Sequence, residues 1–204
     1  MKLGRFGKNL AGTFVLNVSE AFFSFITAVF LTRIMGAAAF GVYSYVIALV
    51  GILSVLIILG QDKLLVKELA KTSIKSQGFR LFRSISSTVF SIYCVIMMSY
   101  VVYINYADIE TLKYESMLLL PILLLIVIVI KMLEAFMQGN NEVARSFLAM
   151  KLVKPISHLA ILYIATLWIG SFNASTSVTA NILASLVALF FILSLSCFSQ
   201  LLFG

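Results

Sequence analysis

The chain has 204 residues, of which 62% are hydrophobic and only 11% charged, and its mean hydropathy is +1.09. A soluble domain is roughly 45–50% apolar and about 25% charged, and a chain this short cannot hide the excess in one globule. A soluble enzyme, a nucleic-acid module and a disordered segment are excluded, and the formal net charge of +7 reads first as basic residues flanking membrane spans.

Six apolar stretches follow, each long enough for a bilayer core of about 30 Å. They cover residues 9–32, 40–60, 84–106, 116–138, 146–170 and 177–203. The fold class expected is all-α, one six-helix membrane unit with no soluble domain. The start, with Lys2, Arg5 and Lys8 before an apolar run, looks like a signal-peptide n-region, but Glu20 interrupts that run, which argues for a retained span. With the N-terminus inside, twelve of the fifteen basic residues fall on the inner segments 1–8, 61–83 and 139–154. Arg33 and Lys113 fall outside and Lys131 within a span. That bias predicts both termini on the cytoplasmic side. The outer loop 107–115 is acidic.

The first span carries Thr13, Asn17, Glu20, Ser24 and Thr27 at steps of four and three, one polar face. Glu20 lies near the bilayer centre, where a charge costs about 3 kcal/mol and needs a partner or a wet cavity. Lys131 in the fourth span is the expected partner. Glu134, three residues on, competes for Lys131. The second span has Gly41, Ser44, Ala48 and Gly51 on one face, and the third has Ser84, Ser87, Ser91 and Cys94. Both stripes suit close helix packing, and Cys94 and Cys197 read as buried thiols.

Between spans two and three, Leu64, Leu65 and Leu69 alternate with Lys63, Lys67 and Lys71 at helical spacing. This reads as a helix on the inner leaflet, or as a mechanical link between two moving spans. In the fifth span Lys151, Lys154 and His158 share a face around Pro155. They either snorkel to headgroups or join Lys131 in a cationic surface for a phosphate. Glu20, Glu134 and Asn17 would balance that charge or couple it to an ion. With one histidine and no CxxC or HExxH, no metal site and no cofactor is expected. No Walker A motif is present, so the chain does not drive itself with ATP.

Three blocks carry a family resemblance. Leu31-Thr-Arg33-Ile-Met-Gly36-Ala-Ala-Ala-Phe40-Gly41-Val-Tyr43 resembles "L-x-R-x-[LM]-G-x-x-x-[FY]-G-x-Y" of Wzx-type polysaccharide flippases, in the multidrug/oligosaccharidyl-lipid/polysaccharide exporter superfamily. Val66-Lys67-Glu68-Leu69-Ala70-Lys71 resembles their "V-[RK]-E-[IL]-A-K", and Glu134-Ala-Phe-Met-Gln138-Gly139 resembles "[AE]-x-x-Q-G". Arg33, Gly36, Gly41, Lys67 and Gln138 fall on motif positions and look architectural. The resemblance implies a bacterial inner-membrane transporter, not an enzyme, that turns undecaprenyl-pyrophosphate-linked oligosaccharide (O-antigen or capsule repeat units) across the membrane. Family members have two six-helix lobes, and the chain matches the first. Partners expected are membrane lipid, the lipid-linked oligosaccharide and a second lobe or copy, with no nucleic acid. Lys131, Lys151, Lys154 and His158 would contact the pyrophosphate. The alternatives are a drug or cation exporter of the same superfamily and an inactive membrane fragment or scaffold. An oligosaccharide polymerase is disfavoured by the short outer loops.

Overall fold

The computed structural model describes residues 3–71, 75–106, 111–140, 143–169 and 173–203. The acidic loop's Asp108 and Glu110, and the side chains of Lys113, Arg145 and Cys197, lie outside the described residues. Among the described residues nine helical elements follow one another: α1 (Leu3–Ile58), α2 (Gln61–Lys71), α3 (Lys75–Tyr106), α4 (Thr111–Leu118), α5 (Leu120–Gly139), α6 (Val143–Leu148), a π-helical turn (Ala149–Val153), α7 (Lys154–Ile169) and α8 (Ala174–Phe203). Among the described residues, five helical stretches are long and apolar enough to cross a membrane. The chain is an all-α polytopic membrane protein.

The first of those stretches, Gly12–Ile58, has 47 residues, about 70 Å of helix at 1.5 Å per residue. It is not one rod. Gly36 sits inside it at φ 78°, ψ 168°, a region that essentially only glycine occupies. The chain reverses there. Thr27 and Leu31 of the first arm and Phe40, Tyr43 and Ile47 of the second line one cavity, which a straight helix could not arrange. The expected first and second spans are these two arms. Arg33, three residues before the bend, is exposed.

Helix α5 is the centre. Its first three turns, residues 120–130, are apolar all round, as a helix surrounded by others must be. Leu120, Leu123, Leu124, Ile128, Ile130 and Met132 are all buried. Pro121 opens it, where a missing N–H is harmless. The α3 helix runs antiparallel beside it: Tyr93 donates to the Pro121 carbonyl at 3.0 Å and Tyr100 to the Met117 carbonyl at 3.1 Å. The second arm of α1 and α8 run parallel, tied by Ser177 to the Met35 sulfur at 3.0 Å and by Asn181 to the Tyr43 hydroxyl at 3.1 Å. One end of the bundle thus holds Gly36, Tyr106, Glu115 and Trp168, and the other the basic segment 61–83. Tyr106 and Trp168 are nearly fully exposed, as aromatic residues at a membrane interface are.

At the basic end α2 docks across the end of α5 and against α3. Leu65 and Leu69 are buried there while Leu64 and Lys67 face outward, so the amphipathic helix packs one face on the bundle, with Lys63 paired to Asp62 and Lys71 to Glu68. The packing is tight at one point. A Cβ on Gly139 would stand 2.6 Å from the Leu69 Cβ, and a Cβ on Gly78 2.9 Å from the Leu69 Cδ2. Two side-chain-free positions therefore hold one leucine. The second and third sequence blocks meet in this contact, with Leu69 from one and Gly139 from the other.

Two expectations need correction. The small-residue stripes do not pack within the chain: Gly41, Ala48 and Gly51 are exposed, as are Ser84, Ser87, Ser91 and Cys94. No heavy atom lies within 4 Å of a Cβ placed on Gly41 or Gly51. The inward face of α3 is instead Ile85, Val89 and Met97. Large aliphatic residues fill the core and the small ones are turned outward, so Cys94 is an exposed free thiol rather than a buried one.

Candidate functional site

Polar and charged side chains gather midway along the bundle, between the first arm of α1, α5 and the α6–α7 segment. The local cause is Pro155. It has no N–H and clashes with a regular helical turn before it. The chain accommodates it by widening Ala149–Val153 into a π-turn, closed by the Lys154 N–H on the Ala149 carbonyl. Such turns inside helices are frequent at functional sites. Here the widening rotates Lys151 away from Lys154 and His158. The three were expected on one face, and the structure splits them.

Lys151 faces the first arm. It donates a hydrogen bond to the Asn17 Oδ1 and lies 3.5 Å from the Glu20 Oε2, with the Phe147 ring 5.0 Å from its Nζ. Glu20 therefore pairs with Lys151, not with Lys131. The reason is level: Asn17 and Glu20 lie beside the π-turn, and Lys131 lies across the bundle beside Ser54. Lys131 donates to the Ser54 hydroxyl at 3.0 Å, its one hydrogen bond among the described residues. Glu134 does not close on Lys131 either. Its Oε1 accepts from the Gln138 Nε2, one turn on, at 3.2 Å. It remains within electrostatic reach of Lys151, Lys131 and Glu20.

Lys154 and His158 turn the other way, into a cavity of about 340 Å³ between the two arms of α1, α7 and α8. Glu20 and Ser24 stand on its wall from the first arm, and Tyr43 and Asn181 from the opposite side. Thr27, buried on the same wall, returns its hydroxyl to the Phe23 carbonyl at 2.8 Å. His158 is 8% exposed, and its Nε2 has no hydrogen-bond partner. The Lys154 ammonium has no ion pair or hydrogen bond among the described residues. Buried polar groups are almost always satisfied, so the unsatisfied His158 nitrogen, with the Lys154 side chain on the same wall, marks the cavity.

The site thus unites Asn17, Glu20, Glu134, Lys131, Lys151, Lys154 and His158, three lysines against two carboxylates. It leaves apart Arg33, Gly36 and Gly41, toward the end that holds Tyr106 and Trp168, and Lys67 near the basic end, while Gln138 touches it through Glu134. Sequence reasoning gave Tyr43 only a motif position and gave Ser54 and Asn181 no role. Ser54 is the lone polar residue of its apolar run, but Ser177, Asn181 and Ser185 recur at steps of four, a signal that could have found Asn181. It also missed Leu69, Gly78 and Gly139 as a packing unit. No group of three or more metal-ligating residues occurs among the described residues.

The family model described as polysaccharide biosynthesis protein matches residues 6–202. The chain belongs to that family. The structure gives all three sequence blocks work: the first makes the Gly36 reversal, and the second and third interlock through Leu69 and Gly139. No curated protein and no solved structure matches the chain.

Proposed function

We propose that the protein is a transporter rather than an enzyme, and that it moves lipid-linked oligosaccharide across a bacterial inner membrane, both ends of the chain on the cytoplasmic side. The observation that carries this reading is the gathering of Lys131, Lys151 and Lys154 with Glu20 and Glu134 inside an apolar bundle, in a member of the polysaccharide biosynthesis family. Intramembrane charge is costly and is kept where a pathway needs it. Ammonium groups serve phosphate as point charges. Lys131 and Lys151 are each held by one or two weak partners, so a pyrophosphate linker passing the site can exchange with Ser54, Asn17 or Glu20 at little cost. Glu20 then balances the lysines while the site is empty.

The reading includes a second six-helix unit, from another lobe or another copy, to complete an alternating pathway. The exposed small-residue faces Gly41–Ala48–Gly51 and Ser84–Ser91 suit close approach of such helices. The test is surface polysaccharide in cells that depend on this gene. Lys131→Gln and Glu20→Gln should abolish it at unchanged protein level. Normal polysaccharide in both would contradict the role. Accumulation of dyes or drugs on deletion, with polysaccharide intact, would favour a drug exporter.

A further inference from the structure

The cavity beside the charged cluster has a chemistry of its own. Its wall is half apolar, with Leu31, Phe40, Ile47 and Pro155. Its polar half carries Lys154, a cation with no ion pair or hydrogen bond among the described residues. Glu20 at its edge already leans on Lys151 at 3.5 Å. The Tyr43 hydroxyl accepts from Asn181 and keeps its own proton to donate. The His158 Nε2 is buried and unpartnered. In neutral imidazole that nitrogen donates or accepts according to tautomer, and a hydroxyl partner suits both.

We infer that this cavity binds one acidic sugar ring of the transported oligosaccharide, its carboxylate on Lys154 and its hydroxyls on His158 and Tyr43. The volume, about 340 Å³, lies at the lower end of the roughly 300–1,000 Å³ range of small-molecule sites. Charge decides between a sugar acid and the pyrophosphate linker. A single unpaired lysine balances a single negative charge. Either anion faces the Glu20 carboxylate, but a pyrophosphate diester brings two charges, doubling that repulsion, and buries more charge against Phe40 and Ile47. A pyranose offers C–H faces to Phe40 and Pro155 and hydroxyls to the polar half. The site lies wholly within this chain, whatever completes the pathway. The inference deepens the transport reading and rests on it for the word "transported".

Ligand-observed NMR on the detergent-solubilised chain tests it, with methyl β-glucuronide, methyl β-glucoside and inorganic pyrophosphate as probes. The expected result is saturable binding of the glucuronide, about tenfold tighter than the glucoside, the order of one charge-assisted hydrogen bond. Lys154→Met should erase that difference, and Tyr43→Phe should weaken both sugars. Displacement of glucuronide by pyrophosphate at equal concentration would overturn the assignment and make the cavity a phosphate site. So would equal binding of the two glycosides, or no binding of either, which leaves a water-filled cavity. These readings on the wild-type chain hold even if a variant does not fold. Saturable glucuronide binding with no effect of Lys131→Gln on surface polysaccharide would overturn the transport reading and keep the site.

Discussion

The basic end of the bundle and its middle solve opposite problems. At the basic end Leu69 fills a space that exists only because residues 78 and 139 have no side chains. The contact is dry, apolar and close. In the middle Glu20, Lys151 and Lys131 are held by one or two polar partners each, and Lys154 and His158 border open volume. The first region fixes where α2 sits on α5. The second keeps charges within reach of one another without locking them. Stability should concentrate in one and function in the other.

The largest expected effect breaks the dry contact. Gly139→Leu drives a side chain into Leu69 and should prevent folding or lower the unfolding temperature sharply. Gly139→Ala should cost about 1–3 kcal/mol by overpacking. Leu69→Ala alone should cost about 2–5 kcal/mol through the cavity it leaves. Because the Leu69 Cβ is itself the nearest atom, at 2.6 Å, the double variant Gly139→Ala with Leu69→Gly should be more stable than the sum of the single losses predicts. Strict additivity in a thermal-unfolding cycle would show that the interlock is absent.

The Gly36 bend sharpens the comparison, because there the strain is in the backbone alone. Nothing crowds a Cβ at that position, but φ 78° with ψ 168° should make Gly36→Ala cost about 1–3 kcal/mol. Gly41→Ala, five residues on in helical backbone and open space, should be neutral or stabilising by up to about 1 kcal/mol. Equal unfolding temperatures for the two variants would contradict the bend.

Smaller effects on stability belong to the middle. Glu20 is about half exposed, so Glu20→Gln should change stability by less than about 1 kcal/mol while removing surface polysaccharide. A loss of protein level equal to the loss of polysaccharide would assign Glu20 a structural role instead. The smallest effect is at Glu68, outside the spans. Its carboxyl is held below the ordinary carboxylate range first by the hydrogen bond from Lys71, 2.9 Å away, and then by that lysine's charge. A depressed carboxylate stabilises above its unfolded value and loses that contribution as pH falls through the folded one. Glu68→Gln should therefore lower stability slightly at neutral pH, leave it unchanged below the folded value, and flatten the slope between the two.

Much of this architecture was legible in the residues. Gly36 stood out as a turn because an arginine and a glycine end one apolar run just before Phe40-Gly41 starts the next. The polar face of the first span was legible from its steps of four and three. The pairing of Glu20 was not. Regular helical spacing places Lys151 with Lys154 and His158, and only the π-turn before Pro155 separates them. Pro155 was the available signal, but a kink and a change of register follow from the same residue and the sequence does not choose between them. The small-residue stripes misled for a related reason: small residues permit close packing, and the larger surface of Ile85, Val89 and Met97 won the inward face of α3. The cavity was out of reach, because Tyr43, Asn181 and His158 come from three separate helices and meet only in the folded bundle.

The most direct test of the central claim is transfer of a fluorescent lipid-linked oligosaccharide between leaflets of proteoliposomes that contain this chain with whatever completes its pathway. The account predicts that Lys131→Gln and Lys151→Gln stop transfer while Glu68→Gln does not, at equal amounts of folded protein. Undiminished transfer in both lysine variants would contradict it.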